Sequence, residues 1–186
     1  MVVEQLLEEL DGGLNRACDC QAKVQECCRL LERNARTCCL PQRLVQSSPK
    51  GYARHLVYLD PDDRYCVVAM VWGPGQGTAI HDHDGTWCVE GCLDGRLAIT
   101  SYQFVRAVDE NLVELKPERT LEVGVGAVGR LIPPFEHHRI FNPFSEQAVT
   151  LHIYGKELKH CTRFLETDQP DTFRKERVQL GYCSRP

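Results

Sequence analysis

Gly75-Gln76-Gly77-Thr78-Ala79-Ile80-His81-Asp82-His83 sets two imidazoles one residue apart at the end of an apolar, β-branched run. In a strand, residues i and i+2 face the same side, so His81 and His83 can grip one metal ion. Taken alone, His-x-His is more readily a surface strand with two solvated histidines than a metal site. Two further histidine contexts lie downstream, His137-His138-Arg139-Ile140-Phe141-Asn142 and Leu151-His152-Ile153-Tyr154, and either can supply a third ligand. His138 opens a short β-prone run with Asn142 four residues on. His152 alternates with Thr150 and Tyr154, which puts three side chains on one strand face and reads as a relay, with His152 a hydrogen-bond partner of the Tyr154 phenol. His137 competes with its neighbour, but the spacing to Asn142 and the following Arg139 favour His138. His55 and His160 have no identifiable partner in the sequence and read as surface residues.

Ligands so far apart in sequence must be delivered by several strands. Short β-prone runs recur at 54–59, 65–72, 86–93, 96–104, 111–115, 127–132, 138–141 and 148–154. Turn sequences such as Asp60-Pro61-Asp62-Asp63, Asp94-Gly95 and Asn142-Pro143 separate them. Some eight such strands predict an antiparallel barrel or sandwich. Ahead of them, residues 2–10 and 22–31 carry apolar side chains at three- and four-residue intervals, which predicts two helices packing Leu6, Leu10, Val24, Leu30 and Leu31 onto a partner. The texture changes at Ser47-Ser48-Pro49-Lys50-Gly51. Beyond Lys156 the chain is charged and proline-containing and reads as a cover of loops and short strands. The expected organisation is one domain over 1–186, with a helical segment at 1–47, a β-barrel at 52–161 and a C-terminal cover at 162–186.

The 186 residues, 42% hydrophobic and 26% charged, suffice for one closed core. Lys and Arg number 22 against 26 Asp and Glu, a net charge of −4 without any basic stretch, so the electrostatic footprint of a nucleic-acid binder is missing. A small neutral or zwitterionic partner fits better. No apolar run approaches the roughly 20 residues that span a bilayer, and the acidic, amphipathic N-terminus is unlike a signal peptide. We therefore expect a cytoplasmic protein without membrane association, and a monomer. Eleven cysteines, an odd number in a chain of this length, point to reduced thiols. Cys18-x-Cys20, Cys27-Cys28 and Cys38-Cys39 differ from the Cys-x2-Cys knuckles of zinc sites and read as helix-face and surface thiols.

The histidine contexts resemble the two cupin motifs. The first, Gly, five residues, His-x-His, a few residues, Glu, six residues, Gly, is matched by Gly75, His81, His83 and Gly95, with Cys88 where the glutamate usually stands. In the second, Pro133, His138 and Asn142 match, while Phe135 replaces a common glycine. A cupin with cysteine at that place and a Thr-x-His-x-Tyr strand after the third histidine is similar to the thiol dioxygenases, and most closely to the cysteine dioxygenase family, over about 52–161. Residues 72–83 resemble that family's iron-site signature, and Thr150, His152 and Tyr154 match its outer-sphere triad in type, spacing and order.

The resemblance implies Fe2+ held by His81, His83 and His138, with three positions open for substrate and O2. It implies that Arg54, in Tyr52-Ala53-Arg54-His55-Leu56, pairs with a substrate carboxylate beside Tyr52. It puts Cys88 and Tyr154 at the positions that form a thioether bond in animal-type members, and the Tyr154 phenol near the reacting oxygen, oriented by His152 and, through it, Thr150. The chemistry is coherent. Neutral imidazoles suit iron and leave negative charge for a thiolate to supply, and a planar guanidinium takes a carboxylate through two parallel hydrogen bonds. The plainer readings are a surface ion pair for Arg54 and a small buried hydrophobe for Cys88. The implied activity is iron(II)-dependent oxidation of the L-cysteine thiol by O2 to cysteine sulfinic acid. The alternatives are a 3-mercaptopropionate or broad-specificity thiol dioxygenase, in whose relatives a glutamine resembles the Arg54 position, and a non-catalytic metal-binding or sensing cupin.

Overall fold

The computed structural model describes residues 2–134 and 136–185; Phe135, read as replacing a motif glycine, lies outside the described residues. Two helices come first, α1 (Val3–Arg16) and α2 (Cys20–Asn34). Asp19 caps α2 by accepting the Ala22 N–H at 2.8 Å. Eleven strands follow: β1 (Ala53–Leu59), β2 (Cys66–Trp72), β3 (Ile80–His81), β4 (Cys88–Asp94), β5 (Arg96–Ala107), β6 (Leu112–Gly124), β7 (Val128–Leu131), β8 (His138–Phe141), β9 (Ala148–Tyr154), β10 (His160–Glu166) and β11 (Thr172–Gln179).

The strands form two antiparallel sheets, ordered β1-β2-β9-β4-β7 and β10-β11-β6-β5-β8-β3. The second ladder returns on itself because β3 pairs with both β8 and β10. This is the mainly β, cupin-type jelly roll with N-terminal helices that the sequence leads one to expect. The helices lay Leu6, Leu10, Val24 and Leu31 on the outer face of the first sheet, against Val67, Val89, Leu151 and Ile153. On the inner side Met70, Trp72 and Tyr154 of the first sheet meet Leu97 and Ile140 of the second. Strands β2 and β9 are therefore buried along their whole length on both faces, which is why they read as continuous apolar runs. Gly95 turns β4 into β5 at φ 70°, where a Cβ would run into the Gln147 carbonyl.

Three expectations are corrected. The strand expected at 111–115 continues to Gly124 and pairs with β5 in a long hairpin, most of whose polar residues from Lys116 to Glu122 face solvent and so carry no one-sided apolar signal. Residues 162–186, expected as a cover, contribute most of β10 and all of β11 to the second sheet. There Phe164 and Phe173 pack on Ile80, Val113 and Leu115, and only the residues after Gln179 act as a cover. The His-x-His pair is not carried wholly by a strand, since β3 ends at His81. No helix among the described residues is long and apolar enough to cross a membrane, and all eleven cysteines are free.

Candidate metal centre and substrate cavity

Pairing of β3 with β8 sets His81 directly opposite His138, with their Nε2 atoms 3.2 Å apart. His83, just past the end of β3, turns its ring to the same point, 5.2 Å from the His81 ring and 5.1 Å from that of His138, centroid to centroid. One nitrogen from each of the three lies within 4.8 Å of the others. Since no strand holds His83, Glu136 does so instead, its Oε2 accepting the His83 backbone N–H at 3.0 Å and facing Nδ1 at 3.1 Å. His81 Nδ1 lies 3.1 Å from the Ala79 carbonyl. These acceptors draw the ring proton to Nδ1 and leave Nε2 with its lone pair toward the common point, as metal-ligating histidines require.

Burial, then the neighbouring His83, lowers the His81 imidazole to about 3, and burial with His81 close by takes His138 well below its ordinary value. Both rings are therefore neutral, and with each proton on Nδ1 their Nε2 lone pairs face one point, where a cation satisfies both. An all-nitrogen donor set, with His83 and His138 buried and His81 half-buried at the cavity wall, fits a first-row transition ion such as iron(II). His137 does not compete, because its ring is turned away against Phe104 and Phe164.

A cavity of about 650 Å³ opens onto His81, with Tyr52, Arg54, Trp72, Tyr154 and Tyr182 among its walls. Arg54, buried on β1, donates to the Gly181 carbonyl at 3.1 Å and the Leu158 carbonyl at 3.4 Å, and its guanidinium stacks over the Tyr182 ring at 4.9 Å. It is no surface ion pair. Among the described residues no carboxylate is paired with it, so a buried cation faces the cavity with its charge unmatched. Tyr52 stacks on Trp72 at 4.9 Å and lines the same wall. His55, expected at the surface, is buried: one ring nitrogen meets Ser184 Oγ and the other the Gln46 carbonyl, both at 2.8 Å. It thereby helps pin the chain end over Arg54.

On β9, Thr150, His152 and Tyr154 share the inward face as expected. Trp72 Nε1–H donates to Thr150 Oγ1 at 2.9 Å, and Thr150 Oγ1 meets His152 Nε2 at 2.8 Å. The expected bond from His152 to the Tyr154 phenol is not made. Their rings stack 5.9 Å apart and 18° from parallel, and the phenol points at Met70 Sδ, 4.0 Å away. Residues two apart on one strand face are separated by about 7 Å, so their rings align side by side and the imidazole edge reaches Thr150 instead. Tyr154 also neighbours the His83 ring at 5.9 Å. Cys88 stands directly opposite Tyr154 across the β4–β9 ladder. Burial, then Glu90, takes the Cys88 thiol well above its ordinary value, while burial, then Cys88, does the same to the phenol, so both stay protonated.

Two carboxylates escaped the sequence reading. Glu136 precedes His138 by two residues, and Glu90 follows Cys88 by two, on the same face of β4 and directly opposite His152. Glu90 is buried, and burial alone raises its carboxyl to about 7. Its oxygens lie 3.4 Å from His152 Nδ1 and 3.9 Å from His138 Nδ1. The available signal was a charged residue alternating with a site cysteine inside an otherwise apolar strand.

The chain is similar in sequence to known proteins. The family described as Cysteine dioxygenase type I matches residues 17–167, reaching back into the helices where the resemblance in the residues themselves began only near Tyr52. Cysteine dioxygenase type 1 of Rattus norvegicus and that of Homo sapiens are each 30% identical over 135 residues, 72% of this chain and 64% of the relative. The Danio rerio protein is 27% identical over 124 residues, 61% of this chain and 55% of that protein. The chain thus spans less than two thirds of the length of these relatives. Among solved structures it is similar to a Cupin 2 conserved barrel domain protein from Salinispora arenicola, at 17% identity and TM-score 0.44 over 64% of this chain and 87% of that one. By the extent of the family match, the chain belongs to the cysteine dioxygenase type I family.

Proposed function

We propose that this chain is an iron(II)-dependent dioxygenase of cysteine catabolism that oxidises the thiol of L-cysteine with O2 to cysteine sulfinic acid. The observation that carries the reading is Arg54, a buried guanidinium with no paired carboxylate among the described residues, lining the same cavity as His81. His81, His83 and His138 would hold iron(II), which when bound supplies open coordination positions where a thiol and dioxygen can meet. The rest is done by the chain's own side chains. Arg54, fixed by the Gly181 and Leu158 carbonyls, takes the substrate carboxylate in a bidentate pair and so aims the thiol inward. The Tyr52–Trp72 stack walls the cavity and Tyr182 covers the guanidinium, which limits water around that ion pair. Tyr154 holds a protonated phenol beside the reacting thiol, and the Trp72–Thr150–His152 chain fixes the imidazole stacked on it. Cross-strand opposition of Cys88 and Tyr154 supports a thioether between them, formed by an oxidation that removes one hydrogen from each and uses dioxygen as oxidant.

The test is oxygen uptake by anaerobically iron-loaded protein given L-cysteine or 3-mercaptopropionate, with the sulfinate identified by mass spectrometry. One dioxygen consumed per cysteine, with both its atoms in the product, is expected. Preference for 3-mercaptopropionate would keep the metal centre and overturn the substrate. Bound iron without thiol-dependent uptake would favour a sensing cupin.

A further inference from the structure

We infer that Glu90 is a positioning residue of the metal centre, its carboxylate accepting the Nδ1–H of His138 and tying that ligand to the Thr150–His152 relay. The inference rests on the reading of His81, His83 and His138 as the ligand set. A ring that offers Nε2 to a metal must carry its proton on Nδ1, and that N–H needs an acceptor. His81 has the Ala79 carbonyl and His83 has Glu136. His138 Nδ1 is buried with no hydrogen-bond partner, and so is Oε2 of Glu90. The carboxylate oxygen facing that nitrogen is Glu90 Oε1, 3.9 Å away, while the unpartnered Oε2 lies 3.4 Å from His152 Nδ1, so the one carboxylate stands between the two imidazoles. Leaving the His138 N–H unpaired costs about 1–3 kcal/mol, and a closure of about 1 Å toward Oε1 satisfies it.

No Lys or Arg is paired with Glu90 among the described residues, and its titratable neighbours are His138, His152, Cys88, Tyr154 and Cys92. The strand register explains its aim, since Glu90 lies on the inward face of β4 opposite His152, whose Nδ1 is 3.4 Å from its other oxygen. A carboxylate on the outer nitrogen of a ligating imidazole fixes the ring and makes its inner nitrogen more basic, which strengthens metal binding and favours the more highly charged ion. Two of the three ligands are then backed by glutamates, His83 by Glu136 and His138 by Glu90, and the third by a carbonyl.

The experiment compares wild type with Glu90→Gln and Glu90→Leu by three measurements: the cobalt(II) dissociation constant, the potential of bound iron, and thermal unfolding of metal-free protein. Glu90→Leu is expected to weaken cobalt binding by about 10–100-fold. Glu90→Gln keeps an acceptor oxygen without the charge and should weaken it less. Both should raise the iron potential by at least a tenfold change in the ratio of the two oxidation states, about 59 mV for one electron. Metal-free Glu90→Leu should unfold no earlier than wild type, because an unpaired buried carboxylate is exchanged for an apolar side chain. Earlier unfolding with unchanged cobalt affinity would mean a merely structural role and overturn the inference, as would an unchanged potential in both variants. Wild type that binds no cobalt would overturn the metal-centre reading itself, a result distinct from equal binding by all three proteins.

Discussion

Strands β4 and β9 present two faces that are equally buried and chemically opposite. Outward, Val89, Leu151 and Ile153 press on the helices, and Gly91 lets Leu31 approach to 3.3 Å of where its Cβ would stand. Inward, Cys88, Glu90, Thr150, His152 and Tyr154 crowd polar atoms around one volume. The outward face is complete in itself, because every apolar group there is matched by another. The inward face is not. His138 Nδ1 and Glu90 Oε2 lack partners, the Nε2 atoms of His81 and His138 confront each other, and Arg54 carries an unmatched charge into the adjoining cavity. Depth of burial therefore does not by itself separate the apolar groups that hold the sheet to the helices from the polar groups around the proposed site. A fold tolerates such unfinished polar groups only where larger apolar contacts elsewhere outweigh them.

The contrast can be broken by substitutions on either side. Leu151→Ala, on the outward face, should cost about 2–5 kcal/mol of unfolding free energy and leave metal stoichiometry of the folded protein unchanged, as read by denaturant melts and cobalt titration. Loss of metal binding without loss of stability would show that the two faces are not separable. Arg54→Gln, on the cavity side, should do the reverse. It should lower kcat/KM for cysteine by about a hundredfold, or about 2.7 kcal/mol of transition-state stabilisation, with melting temperature little changed. Cysteine turnover that survives the exchange would remove Arg54 from the carboxylate site.

Per pH unit, the smallest effect is expected from acid. In metal-free protein the His81 imidazole is held down to about 3, so between that value and its ordinary 6.5 the unfolded chain binds a proton that the folded chain does not. Stability therefore falls as pH drops below 6.5, by up to about 1.4 kcal/mol per unit for this group alone. Urea melts of metal-free His81→Leu should show a correspondingly shallower acid slope than wild type, whereas Leu151→Ala should keep the wild-type slope. Parallel slopes in wild type and His81→Leu would mean that the ring titrates normally in the folded state.

What the sequence by itself determined is what local periodicity can encode. Spacing by two put His81 with His83, and Thr150 with His152 and Tyr154, and spacing by three and four marked Leu6, Leu10, Val24, Leu30 and Leu31 as helix contacts, all of them buried. The residues alone left His138 and His152 both open as the third ligand, and resemblance favoured the first. The structure brings that one to the pair because β8 lies beside β3, while β9 runs in the other sheet. The same kind of non-local pairing drew β10 and β11 into the sheet, buried His55 under the chain end and set Glu90 behind His138. A residue's own neighbours fix which face of its strand it occupies. Which faces then meet, and whether a buried donor finds an acceptor there, depends on residues far away in the chain, so only the tertiary structure could decide it.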